Sequence, residues 1–178
     1  MLIVMYFWLE NNVRLLRKYY FFPLLLFLSL FIDGQFSFIF SRFIPNQFEA
    51  ISFLFFYGFM MLSLYFSEIC CIWLGIFFGF CFDVYFLNTL GISFLIFPLL
   101  QIIFYQWNQV ILLNRLTRFL TFLLTIFCFQ LLASFLEIFL IGIKFDLFSL
   151  VVFQIAPSLL LNLFLLLIFQ PLFEKIYL

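Results

Sequence analysis

Residues 69–91 read ICCIWLGIFFGFCFDVYFLNTLG. Nothing from Ile69 to Phe82 is charged. Asp83 interrupts, and a second charge-free run continues over 84–114. A helix crossing a bilayer needs about 20 mostly apolar residues. Asp83, followed by Asn88, Thr89 and Gly91, punctuates the stretch. The pattern therefore predicts one spanning helix over 69–87, a short turn and a second helix over 90–112. Asn88 or Thr89 is expected to cap the second helix. Outward from this pair, the charge-free runs 19–32, 50–67, 119–136 and 147–173 repeat the theme. They predict further spans at about 19–40, 50–67, 119–143 and 147–169. The whole chain, 1–178, is expected to form a single transmembrane domain. Residues 1–18 form its N-terminal cytoplasmic or interfacial segment, and the apolar stretch 1–9 is too short to span.

Composition leads to the same class. Of 178 residues, 69% are hydrophobic and 35 are Phe, while only 9% are charged and none is His. Soluble domains carry roughly a quarter charged residues. A chain this poor in charge cannot cover a surface in water. The missing His excludes an imidazole base, a Ser-His pair and an HExxH zinc site. The first span is expected to stay in place as an anchor. Arg14, Arg17 and Lys18 resemble a signal-peptide n-region, but the first Ala is Ala50, so no A-x-A-like cleavage site follows.

The basic residues predict the orientation. With six spans and an inside N-terminus, Arg14, Arg17, Lys18, Arg115, Arg118 and Lys175 fall on the inner side. Arg42 and Lys144 fall outside. Such a bias is the positive-inside pattern. Trp8, Trp73 and Trp107 fall at predicted inner ends, where amphipathic rings favour the headgroup level. Both termini are therefore expected in the cytoplasm. Cys70, Cys71, Cys81 and Cys128 form no CxxC pattern and read as small packing residues.

The informative residues are acids inside apolar runs. An ionised carboxylate at the bilayer centre costs about 2.5–3.5 kcal/mol on insertion scales. Asp33, Asp83 and Glu137 should therefore face protein or water. In the expected topology all three lie in the outer half of the bundle, so a shared outer polar pocket is one expectation. Separate positions at the outer interface are the other. Gly75, Gly79 and Asp83 share one face of the third helix at i, i+4 and i+8. The Gly75–Gly79 GxxxG lets another backbone approach closely. It reads as a helix-packing face or a partner face. Pro98 should bend the fourth helix. In the sixth, Gln154 and Asn162 are expected to hydrogen-bond across to other helices.

At these residues the chain resembles a known family. Gly75-IFFG-F-C-F-Asp83-VYFLNTL-Gly91 resembles the G-x-x-x-G-x-x-x-D helix, turn and apolar helix of the rod shape-determining protein MreD family. Pro157-SLLLNLFLLLIFQ-Pro171 resembles its closing helix. Pro23-LLLFLSLFIDGQFS resembles its opening helix in low-GC Gram-positive bacteria. The resemblance covers most of the chain. It implies an all-α, polytopic membrane protein with six transmembrane helices in one bundle. That bundle is similar to the substrate-binding subunits of energy-coupling-factor transporters. It also implies a non-enzymatic scaffold of the bacterial cell-elongation complex in the cytoplasmic membrane. The expected partner is MreC, through its transmembrane helix. The actin-like MreB, the polymerase RodA and a class B penicillin-binding transpeptidase stand behind it. Neither cofactor nor nucleic acid is implied.

The residues suit a scaffold. No nucleophile has an activating base beside it in sequence. The acids are dispersed over different helices, unlike the clustered Asp of lipid phosphotransferases. The alternative is a vitamin or small-molecule transporter subunit. Against it stands the scarcity of Ala, found only at 50, 133 and 156, which leaves no Ala-rich docking helix.

Overall fold

The computed structural model describes residues 21–43, 48–87, 91–111, 114–141 and 147–177. Among these residues every regular element is helical. In hydrocarbon each backbone N–H and C=O must find a partner within the protein, and a helix supplies one from its own chain. The long apolar runs accordingly become helices. They are α1 (Phe21–Phe43), α2 (Leu54–Met61), α3 (Glu68–Phe82), α4 (Ile92–Ile111), α5 (Arg115–Ile141) and α6 (Ala156–Tyr177). A π-helical turn, Asp83–Leu87, continues α3. The turn Leu147–Leu150 and a second π-helical turn, Val151–Ile155, lead into α6.

Five stretches are long and apolar enough to cross a membrane: Phe21–Phe40, Glu68–Phe86, Ile92–Ile111, Arg115–Phe139 and Phe148–Pro171. They coincide, to within a few residues, with the long apolar runs of the sequence. The expected span 50–67 takes a different form. Residues 48–53 are non-helical. Helix follows only over Leu54–Met61, tightening into a 3-10 turn at Leu62–Leu64. At about 1.5–2 Å per residue this rod covers little more than half of a hydrocarbon core about 30 Å thick.

That short helix is the centre of the bundle. Every residue of α2 is buried. Phe55, Phe56 and Phe59 pack against Phe78 of α3 and Phe97 of α4 with ring centroids 5.2–6.4 Å apart. Phe129 of α5 closes the group, 5.0 Å from Phe56 and 5.7 Å from Phe97. Here the high Phe content becomes structural. Wide rings in offset and edge-on contact fill the space around a helix that touches no lipid.

The glycine strip of α3 lies against α4. A Cβ on Gly75 would sit 3.1 Å from the Pro98 Cα, and one on Gly79 would sit 2.5 Å from the Ser93 carbonyl oxygen. A side chain at Gly79 would collide with the α4 backbone, and one at Gly75 would press on it. The strip is thus filled from within the chain and has no room for a partner helix.

Candidate functional site

Two buried carboxylates organise the bundle in the same way. Asp33 of α1 is 1% exposed. Its Oδ1 accepts hydrogen bonds from the Ser52 hydroxyl (2.5 Å) and the Leu54 amide (3.1 Å), and its Oδ2 from the Phe55 amide (2.7 Å). Asp83, at the end of α3, is fully buried. It accepts from the amides of Gly91 (2.8 Å), Ser93 (2.7 Å) and Phe94 (3.1 Å). The first amides of a helix have no partner in their own helix and carry a partial positive charge. Each aspartate, reaching from the preceding helix, supplies that partner as a charge-assisted acceptor. The cap of α4 therefore comes from Asp83; Asn88 and Thr89 lie outside the described residues. Gly91, at φ +116°, adopts a conformation that suits glycine and lets its amide reach the carboxylate.

The non-helical residues before α2 are held by side chains from both ends of the chain. Ser37 of α1 accepts from the Ser52 amide at 2.8 Å. Ser158 of α6 accepts from the Ile51 amide (3.1 Å) and donates to the Glu49 carbonyl (3.3 Å). Asn162, fully buried, accepts from the Phe53 amide (2.6 Å) and donates to the Ile51 carbonyl (2.7 Å). The Glu49 amide donates to the Phe153 carbonyl (2.8 Å). The polar groups of this irregular backbone are thus answered by protein, as they must be wherever water is excluded.

Beside this strap lies a cavity of about 240 Å³. Its lining is in part aromatic, from Phe53, Phe82, Phe86 and Phe129, and in part polar, from Gln130, Ser134 and Glu137 of α5 together with Glu49 and Gln154. Gln154 donates to the Glu49 carboxylate at 2.8 Å. Of the three acids expected to share a pocket, only Glu137 lines this cavity. Asp33 and Asp83 each belong to a helix start. The second carboxylate is Glu49, which sequence reasoning passed over because it precedes an apolar run. Gln130 was also passed over; a lone amide in the run 119–136 was its signal. Among the described residues no group of three His, Cys, Asp or Glu is placed to hold a metal, and the four cysteines are free.

Five spanning helices packed around a buried half-helix define a multi-pass membrane protein. The family model for rod shape-determining protein MreD matches residues 17–178. The Cell shape-determining protein MreD of Streptococcus pneumoniae (strain ATCC BAA-255 / R6) is 35% identical over 170 residues, covering 93% of this chain and 100% of that protein. The chain belongs to the MreD family, and with it to the proteins that determine cell shape. No solved structure matches the chain.

Proposed function

We propose that the chain acts as the non-enzymatic MreD subunit of the cell-elongation complex, binding MreC in the cytoplasmic membrane and supporting lateral peptidoglycan synthesis. The observation that carries this is a family match over residues 17–178, together with a relative matched over its whole length. The architecture suits a scaffold. The acids that could do chemistry at Asp33 and Asp83 are occupied as helix caps. Because the Gly75–Gly79 strip is filled by α4, the MreC helix is assigned to an outward face. MreB, RodA and a class B penicillin-binding transpeptidase then associate through MreC.

Both termini are assigned to the cytoplasm. Trp73, near the start of α3, and Trp107, near the end of α4, are 67% and 59% exposed. These helices are antiparallel neighbours, so the two rings mark one end of the bundle, beside Arg115 at the start of α5. An aromatic belt next to basic residues favours the inner face.

Affinity capture of the tagged full chain from native membranes tests the function. MreC should co-purify, and depletion should round the cells. Capture of an energy-coupling ATPase in place of MreC would move the protein to the transporter class. A C-terminal alkaline phosphatase fusion should be inactive; an active one would invert the topology.

A further inference from the structure

The cavity beside the strap is not used by anything above. We propose that it is a binding site for an organic ammonium ion with an apolar body. The argument begins with size. A cavity of about 240 Å³ is well beyond what a single structural water, which needs on the order of 10–15 Å³, would occupy. Charge comes next. Glu49 and Glu137 line the cavity and no basic side chain does, among the described residues. Two carboxylates around one space favour a cation and reject an anion. Glu49 is also held in place by Gln154.

The aromatic part of the lining selects the kind of cation. Phe53, Phe82, Phe86 and Phe129 border the space, and aromatic rings attract ammonium groups and cover apolar carbon. A bare divalent metal instead favours a cluster of carboxylates, and no group of three His, Cys, Asp or Glu is placed to hold one among the described residues. Gln130 is the independent sign of a missing partner. It lines the cavity, is 8% exposed, and its Oε1 has no hydrogen-bond partner among the described residues. Buried amides are normally satisfied. The Gln130 Oε1 is shielded from the cavity as it stands, so a ligand N–H donor answers it once the side chain turns. The same ammonium chemistry occurs in free amines and in amine-bearing phospholipid headgroups.

The test uses the detergent-purified full chain with phenethylammonium as probe and 2-phenylethanol as its neutral counterpart. Titration calorimetry should show saturable binding of phenethylammonium and at least tenfold weaker binding of the alcohol. Glu137→Gln, Glu49→Gln and Gln130→Leu should each weaken the ammonium at least tenfold. If Glu137→Gln fails to fold, the other two variants and the alcohol comparison still decide. No saturable ammonium binding, equal binding of the alcohol, or unchanged binding in the folded variants would overturn the site. Native mass spectrometry of the chain should reveal an adduct that phenethylammonium displaces. Its mass distinguishes an amine-bearing phospholipid from a free amine.

Discussion

The Phe55 amide of α2 donates to the Asp33 carboxylate of α1 over 2.7 Å, so a buried acid on one helix fixes where the next begins. The same carboxylate holds Leu54 and Ser52. Asp33→Ala leaves these donors buried and unanswered, each costing about 1–3 kcal/mol. Denaturant unfolding in micelles should show the full chain losing several kcal/mol, or failing to fold. Asp33→Asn, which keeps one carbonyl acceptor, should lose less. Equal stability of wild type and Asp33→Ala would show that the cap is not needed.

Gly79→Ala and Gly34→Ala offer a comparison at equal distance. A Cβ on either would meet a neighbour at 2.5 Å. At Gly79 that neighbour is the Ser93 backbone, which cannot yield. At Gly34 it is the far end of the Tyr85 side chain, which is 42% exposed and yields more readily than backbone, at some cost to its ring contacts with Phe31 and Phe86. Overpacking of the first kind costs about 1–3 kcal/mol. Gly79→Ala should therefore lower the melting temperature clearly more than Gly34→Ala. Gly75→Ala, at 3.1 Å from Pro98, should fall below Gly79→Ala as well.

Gly34 and Tyr85 should also be coupled. If the ring is what Gly34→Ala strains, Tyr85→Ala should remove that strain. A double-mutant cycle should then give a non-additive energy of about 0.5 kcal/mol or more. Strict additivity would separate the two residues.

Asn162 touches two backbone groups of the strap, at Ile51 and Phe53. Asn162→Leu matches its bulk and removes both bonds. Polar contacts between membrane helices average about 0.6 kcal/mol, but those on unpaired backbone should lie above that mean, nearer 1–2 kcal/mol. Cysteine accessibility at Ile51 reports the same event: a thiol-reactive probe should label Ile51→Cys faster when Asn162 is Leu.

Much of this was legible in the sequence, for physical reasons. Long apolar runs have one solution in lipid, so α1, α3, α4, α5 and α6 follow from composition and punctuation. Asp33, Asp83 and Glu137 announced themselves as acids needing protein or water. Their separate fates did not. A carboxylate that caps a neighbouring helix and one that lines a cavity look alike in one dimension, because the deciding partners are backbone amides. The strap was hidden for a related reason. Residues 50–67 are as apolar as any helix, and the groups that let 48–53 stay unwound, Ser37, Ser158 and Asn162, belong to other segments. The glycine strip could be read as a face, but only the fold shows that α4 occupies it.

The strap also imposes an order on biogenesis. As synthesis proceeds, residues 49–53 leave the ribosome long before Ser158 and Asn162, whose side chains answer their amides and carbonyls. Until α6 is in place, the groups of Ile51 and Phe53 that Ser158 and Asn162 answer lack those partners, while Ser52 already has Ser37 and Asp33 of α1. A helix more than a hundred residues further along the chain thus completes the second.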